Sequence, residues 1–283
     1  MLIGIIIRKH LYKLLTTAFK PTLKKKPRII KNEYIPNGKP TIFSSTHVFY
    51  DDVAAVLCCL PCNAYVLSGG KNYLQNTSDG LGLSLNGVIW VDRGNKKSRA
   101  DALNKIKKIL SYRGNVLMFP EAAWNFSPNL LVQKLYWGIL EAAQATGANI
   151  APVVIHETDN EYVVHIGKIF DFISINDKAV TISSLRDEMA TMVWDLIAES
   201  IVKREEISHE SWRDYIYHKN RRRMFDYEKE EKYLLQSKEE SQTLGELLAD
   251  LHGIKYKSMA TDWNTYMNIN RLIDNWNKPV KIQ

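Results

Sequence analysis

A histidine and an aspartate five residues apart, His47 and Asp52, have the types and spacing best suited to acid–base chemistry in this chain. His47 comes after a β-rich run at residues 41–43 and three small polar residues. It is therefore expected at the carboxyl end of a strand, where open α/β folds place their sites. A neutral imidazole there can take a proton from a hydroxyl, while the carboxylate fixes its tautomer and stabilises the imidazolium. Such a pair would turn an alcohol into a nucleophile.

The same two residues also have a structural interpretation. On a continuous helix, five residues leave two side chains about 140° apart, whereas a strand-to-helix turn can fold the carboxylate back onto the imidazole. Asp51 and Asp52 precede the apolar residues 53–57, and an acidic pair in that position is typical of a helix N-terminus. The spacing alone leaves catalysis and helix capping open.

The elements around the pair predict an α/β fold. Most of the β-rich runs are too uniformly apolar to have a solvated face, so they indicate buried strands of a largely parallel sheet with crossover helices between them. Gly114 and Gly147 end two of these helices just before the next strand. The predicted strands span residues 41–43, 64–67, 88–91, 116–119, 150–155 and 162–169, and the predicted helices span 51–60, 99–111 and 136–146.

After Ser183 the pattern changes to helical spacing, with Leu185, Met189, Val193 and Leu196 near one face. We therefore predict an α/β domain over residues 41–200 and a helical C-terminal extension over 201–283. Basic residues cluster at 219–223, but no recognisable nucleic-acid-binding module accompanies them, so no nucleic acid is expected as a partner.

The amino terminus is basic and amphipathic. Residues 1–40 hold ten Lys or Arg against a single acidic residue, Glu33, so they carry more than the whole net charge of +7. No apolar stretch there reaches the roughly 18 residues needed to cross a bilayer. On a helix, one face would hold the apolar residues Ile3, Ile7, Leu11, Leu14 and Leu15, away from Lys9, Lys13 and Lys20.

This pattern predicts that residues 1–40 associate with an anionic membrane surface, which would place the protein peripherally on the cytoplasmic face of a membrane. The alternative is that the helix packs on the chain's own domain and its charges are merely solvated. A signal peptide is not expected, because charges interrupt the apolar stretch after seven residues.

The three cysteines, Cys58, Cys59 and Cys62, are too few for a disulfide framework or a four-ligand zinc site, which suggests a reducing compartment. Cys59 and Cys62 have redox-motif spacing. They fall at the end of a predicted helix, however, whereas a redox pair sits at a helix start, where the dipole activates a thiol.

Four segments in order resemble the glycerolipid acyltransferase family, typified by lysophosphatidate (1-acyl-sn-glycerol-3-phosphate) acyltransferases, over roughly residues 40–160. His47 and Asp52 match the family's H-x-x-x-x-D motif. Residues 87–93, Gly-Val-Ile-Trp-Val-Asp-Arg, are similar to its second block. Residues 119–121, Phe-Pro-Glu, resemble the start of the third, F-P-E-G-T-R-S, and residues 151–155, Ala-Pro-Val-Val-Ile, resemble the fourth.

The resemblance implies roles for individual residues. His47 would be the general base and Asp52 its partner, while Arg93 would contact the phosphate of the acceptor. Lys71 is similar to a family lysine near the acceptor. Glu121 follows a predicted strand, and a carboxylate there would accept hydrogen bonds from acceptor hydroxyls or brace the site. From the residues alone, a surface salt bridge explains Arg93 better than phosphate binding does, and Glu121 could be a helix cap.

The chain departs from the family after Glu121, where Gly-Thr-Arg-Ser is replaced by residues 122–125, Ala-Ala-Trp-Asn. One phosphate-binding cation is missing, and Ala122 lacks the backbone freedom of glycine. The predicted function is transfer of a fatty acyl group from acyl-CoA or acyl carrier protein to a lysophospholipid hydroxyl in phospholipid biosynthesis, with no metal and no bound cofactor. Other lysolipid, aminolipid or glycolipid acceptors, and a non-catalytic membrane-binding homologue, remain alternatives.

Overall fold

The computed structural model describes residues 2–69, 71–125, 130–171, 178–199 and 211. The chain divides into two compact units. One comprises Met1–Ala122 and Leu135–Val202, and the other comprises Ala123–Lys134 and Lys203–Gln283. The predicted extension over residues 201–283 therefore lies outside the described residues except for Ser211, and the predicted division at residues 40 and 200 stays a prediction.

The first unit is built on a seven-stranded sheet in the order β1-β7-β6-β2-β5-β3-β4. Every neighbouring pair is parallel except β6 and β7, so β1 and β7 run opposite to the other five strands. The predicted α/β class with a largely parallel sheet is confirmed. The strands are β1 (Lys26–Asn32), β2 (Thr41–Ser45), β3 (Ala64–Ser68), β4 (Val88–Trp90), β5 (Asn115–Met118), β6 (Asn149–Glu157) and β7 (Glu161–Ile166).

Helices connect and cover these strands. The central strand β2 is buried along its whole length, with Ile42 and Phe43 fully inaccessible, as expected for a strand covered on both faces. The helices are α1 (Leu2–Phe19), α2 (Asp52–Cys59), α3 (Lys71–Leu74), α4 (Ser78–Asn86), α5 (Lys96–Ser111), α6 (Gly138–Thr146) and α7 (Lys178–Glu199).

The six predicted strands all form, with ends within a few residues of those expected. Strand β1 is additional. It lies at the edge of the sheet and is mostly exposed, so its sequence lacks the apolar alternation by which a strand is recognised. Charged side chains fasten it instead, because Lys25 pairs with Glu157 at 2.9 Å and Arg28 pairs with Glu161 at 2.6 Å.

Helix α1 packs on the unit by one narrow face. Ile5, Tyr12 and Thr16 are buried, and the Tyr12 hydroxyl donates to the carbonyl of Leu60 beyond α2. The opposite face carries exposed apolar residues, which we call the outer face of α1: Ile3, Ile7, Leu11 and Leu14. These are four of the five residues predicted to share an apolar face. In the part of the chain that is described, no helix has both the length and the hydropathy to span a membrane.

Candidate active site

His47 lies at the carboxyl edge of the sheet, shortly after the end of strand β2. After Ser45 the backbone keeps its pairing with β6 for one further residue, since the Thr46 amide donates to the Val153 carbonyl at 3.1 Å. The Thr46 hydroxyl also accepts a hydrogen bond from the Ile155 amide at 3.2 Å. His47 therefore leaves the sheet from a fixed position, with 20% of its side chain exposed.

The next residues turn sharply, and Asp52 becomes the first residue of α2. The turn folds its carboxylate back onto the imidazole, with 2.9 Å between His47 Nδ1 and Asp52 Oδ2. The same oxygen accepts hydrogen bonds from the amides of Val48 at 2.7 Å and Phe49 at 3.2 Å. Asp52 is fully buried, so these bonds hold the carboxylate in place without competition from water.

This geometry fixes the tautomer of the imidazole. A carboxylate oxygen only accepts hydrogen bonds, so His47 Nδ1 carries the proton that it donates to Asp52. The lone pair of the neutral ring is then on Nε2, which is the arrangement that a histidine general base requires.

Helix capping does not account for the two aspartates. Asp51 occupies the N-cap position of α2 but makes no side-chain capping bond. Its Oδ2 accepts hydrogen bonds from the Tyr162 hydroxyl at 2.8 Å and the Lys24 amide at 3.3 Å, which fastens the turn to β7 and to the segment before β1. Of the two neighbours, Asp51 thus serves the fold and Asp52 contacts the imidazole.

Glu121 braces the histidine from the adjacent strand. It follows β5, is 3% exposed, and its Oε1 accepts a hydrogen bond from the backbone amide of His47 at 2.9 Å. The Phe119 ring lies against the imidazole with 4.6 Å between ring centroids. Of the two roles predicted for Glu121 from its place after a strand, this contact matches the bracing one.

Ala122 adopts a backbone conformation that alanine rarely takes, with φ of 56°. Its amide donates to the Phe119 carbonyl at 2.9 Å, so Pro120 and Glu121 are the central residues of a tight turn. Left-handed backbone is unstrained for glycine and strained for alanine. The family's glycine at this position therefore matches the backbone better than the residue present here.

Arg93 and Lys71 lie at the same carboxyl edge but on other strands. Arg93 follows β4 and Lys71 follows β3, which are three and two strands away from β2 in the sheet. At about 4.8 Å per strand, the backbone of Arg93 stands roughly 14 Å from the β2 strand. Gly69 gives the guanidinium room, because a Cβ there would come within 3.3 Å of Arg93 Nε. The roles assigned to these residues stay predictions.

One hydrogen bond made by the turn between His47 and Asp52 was not predicted from the sequence. The Tyr50 hydroxyl donates to Asp79 Oδ2 at 2.5 Å, which ties the turn between His47 and Asp52 to α4. The helix itself, with its Gly80 and Gly82, was not among the predicted elements. The contact between Phe119 and the imidazole was likewise not predicted, although Phe119 belongs to a segment that the family resemblance singled out.

The cysteines are unsuited to nucleophilic chemistry. All three are free thiols, and burial raises the pKa of Cys58 and Cys62 to about 11 and that of Cys59 to about 12. At neutral pH they are therefore uncharged, and a neutral thiol is a poor nucleophile.

Residues 26–156 match a family model described as acyltransferase. The chain is also similar to a 1-acyl-sn-glycerol-3-phosphate acyltransferase of Borreliella burgdorferi, with 24% identity over 172 residues that cover 56% of this chain and 68% of the relative. Among solved structures, it resembles the 1-acyl-sn-glycerophosphate acyltransferase of Thermotoga maritima, with a TM-score of 0.56 and 15% identity over 70% of this chain and 83% of that one. At that identity, the structural likeness concerns the fold.

Proposed function

We propose that this enzyme, whose residues 26–156 form an acyltransferase domain, moves a fatty acyl group from a thioester donor to the hydroxyl of a lysophospholipid. The donor would be acyl-CoA or acyl carrier protein, and the acceptor a lysophosphatidate-type lipid in phospholipid biosynthesis. The observation that carries the proposal is the 2.9 Å contact of His47 Nδ1 with the buried Asp52, which leaves the basic lone pair on Nε2.

In the proposed reaction, Nε2 of His47 removes the proton of the acceptor hydroxyl as the oxygen attacks the thioester carbonyl carbon. The imidazolium that forms is stabilised by the carboxylate of Asp52, a charge-assisted hydrogen bond that becomes stronger as the ring gains its charge. Collapse of the tetrahedral intermediate breaks the carbon–sulfur bond, and the departing thiolate takes the proton from His47. No acyl-enzyme forms, which agrees with three thiols whose raised pKa keeps them protonated.

Glu121 contributes to this reaction through the backbone of His47 rather than through the reacting atoms. Its bond to the His47 amide keeps the imidazole in line with Asp52. Arg93 and Lys71, at the same sheet edge, would bind the phosphate of the acceptor, and a guanidinium can do so with two parallel hydrogen bonds.

The outer face of α1 supports the proposed location at a membrane surface. Ile3 and Leu14 are 73% and 68% exposed, and Lys13 and Lys20 on the same segment are exposed as well. Helix α4, which packs against α1, also exposes Leu81 and Leu85. Apolar side chains next to cations are the arrangement by which an amphipathic helix binds anionic lipid, and a lysolipid acceptor resides there.

The assay that tests the function measures thiol release from acyl-CoA by the purified full-length protein, with and without each member of a lysolipid panel. We expect release to depend on the lysolipid and to fall by about 10³-fold in His47→Ala. Cys59→Ala should retain its rate, which controls for loss of a buried side chain. Thiol release that does not depend on an acceptor, or a fully active His47→Ala, would contradict the proposal. The absence of release with every lysolipid of the panel would favour the non-catalytic alternative.

The same lysolipid panel tests which acceptor the enzyme prefers. Arg93→Ala should raise the KM for lysophosphatidate by about tenfold or more and affect a zwitterionic lysolipid less, because a phosphate monoester carries the additional charge. An acceptor without a phosphate that outperforms lysophosphatidate would instead support the alternative suggested by residues 122–125.

A further inference from the structure

We propose a second anion-binding site, for a ligand carrying phosphate ester or pyrophosphate groups, in a cavity at the end of the sheet opposite to His47. The cavity has a volume of about 270 Å³. Three cations from separate parts of the chain line it: Lys9 of α1, Lys39 just before β2, and Arg113 between α5 and β5. This site is independent of the acyl transfer proposed above.

The cavity is distinct from the catalytic edge. It lies where β2 and β5 begin, since Pro40 and Asn115 form part of its wall. His47 follows the other end of β2, and the five residues of that strand span roughly 17 Å. A ligand in the cavity therefore does not reach the imidazole.

The wall of the cavity does not neutralise its cations. Among the described residues, the lining includes no Asp or Glu, and Lys9, Lys39 and Arg113 form no salt bridge within the described part of the chain. The ionisable Cys62 is protonated at neutral pH, because burial raises the pKa of its thiol to about 11. Tyr34 is also neutral, since burial raises the pKa of its hydroxyl. Three positive charges thus face one cavity without a counter-charge.

The other polar groups of the wall are already bonded within the fold. Asn115 accepts from the Thr41 amide through Oδ1 at 2.9 Å and donates to the Asn63 carbonyl through Nδ2 at 3.2 Å. The Tyr34 hydroxyl bonds to Thr41 Oγ1 at 2.8 Å. The wall is therefore preorganised, and recognition of a ligand falls to the three cations.

Arg113 occupies a position that would suit glycine. Its φ is 58°, in the left-handed region, and its amide donates to the Leu110 carbonyl at 2.8 Å to end helix α5. Glycine is the usual residue where a helix ends in this conformation. The chain instead has an arginine there, among the residues that line the cavity, and a guanidinium binds phosphate oxygens in pairs.

Arg113 also supplies a clean test, because Arg113→Gly removes the charge at a backbone position that glycine prefers. We would titrate the full-length protein with inorganic pyrophosphate by calorimetry, at constant ionic strength, and compare it with the double variant Lys39→Gln, Arg113→Gly. We expect saturable binding to the native protein and an affinity at least about tenfold lower in the variant, whose thermal stability without ligand should be unchanged or higher. Lys97→Gln, which removes an exposed cation of α5 that does not line the cavity, should bind pyrophosphate as the native protein does.

The source of the phosphate is distinguished by a parallel arm with phosphatidylcholine vesicles, prepared with and without phosphatidic acid. Pyrophosphate binding that depends on Lys39 and Arg113 indicates a soluble phosphate ligand. Binding of phosphatidic acid vesicles that depends on the same residues, without pyrophosphate binding, indicates a lipid headgroup. The proposal is overturned if neither arm distinguishes the double variant from the native protein, or if Arg93→Ala, rather than the double variant, abolishes pyrophosphate binding.

Discussion

The turn around His47 and the outer face of α1 differ in how many of their groups have partners within the fold. In the turn, a fully buried Asp52 oxygen accepts three hydrogen bonds, and Glu121 accepts another from the histidine backbone. On α1, Ile3, Ile7 and Leu14 are all at least half exposed, although Ile5 and Tyr12 on the same helix are buried.

The difference indicates two kinds of functional surface. The turn is preorganised, which is what catalysis by a positioned base requires, because its groups need not rearrange when charge develops on the imidazole. The outer face contributes nothing to the core of the described unit, and apolar residues grouped in this way are typical of an interaction surface. Substitutions in the turn should therefore reduce the rate of the reaction, and substitutions on the outer face should reduce binding to lipid.

The largest effect is expected at Asp52. In Asp52→Asn the amide oxygen can still accept from the Val48 and Phe49 amides, but the charge that stabilises the imidazolium is lost. We expect kcat to fall by roughly 10³-fold with little change in the KM for the acceptor. Steady-state thiol release measures this, and sedimentation with anionic vesicles should be unaffected.

Asp51→Asn is the matched control, since the two residues are adjacent and both are buried. Asp51 bonds to Tyr162 and Lys24 rather than to the imidazole, so this change should lower the melting temperature and leave kcat of the folded protein within about threefold. Equal losses of kcat in the two variants would show that the turn acts only as a structural element, and the assigned base would be wrong.

The sequence predicted much of this turn because the relevant information is local. Six strands and the helices at 51–60, 99–111 and 136–146 were predicted from apolar runs and from the glycines that end two of the helices. The family resemblance carried by the four segments is confirmed by the matching model. The contact of His47 with Asp52 required only that a turn separate the strand from the helix.

What the sequence did not predict depends on contacts between distant segments. The edge strand β1 is fastened by ion pairs to residues 133 positions away, as for Arg28 and Glu161, and no periodicity reveals these pairs. The carboxylates of Asp51 and Asp52 have different partners although they share one sequence context. The division of α1 into a docked face and an outer face likewise depends on α2 and α4, against which it packs.

A smaller effect is expected from the outer face of α1. The triple variant Ile3→Ser, Ile7→Ser, Leu14→Ser removes exposed apolar surface without touching the buried Ile5 or Tyr12. Its affinity for anionic vesicles should fall by about ten- to hundredfold, because binding of an interfacial helix scales with its buried apolar area. Sedimentation measures the affinity, and kcat with detergent-dispersed lysolipid should stay within about twofold.

Val180→Ser provides the control for that experiment. Val180 is an apolar residue of α7 that is 55% exposed, so its replacement removes exposed apolar surface on another helix. High salt should weaken the native protein's binding by screening the cations near α1. If the triple variant sediments as well as the Val180→Ser protein, the lipid contact lies outside α1.

The smallest effect concerns Ala122, where the site departs from the acyltransferase motif that it resembles. Replacing Ala122 by glycine relieves a left-handed alanine at φ of 56° but gives the unfolded chain more freedom. Relief of the strain exceeds the entropic cost, so we expect the free energy of unfolding to rise by about 0.5 kcal/mol, as measured by urea denaturation. Ala100→Gly, at an exposed position within α5, should instead destabilise by about 1 kcal/mol. A destabilised Ala122→Gly protein would mean that the methyl group makes contacts worth more than the strain, which would make residue 122 a packing position.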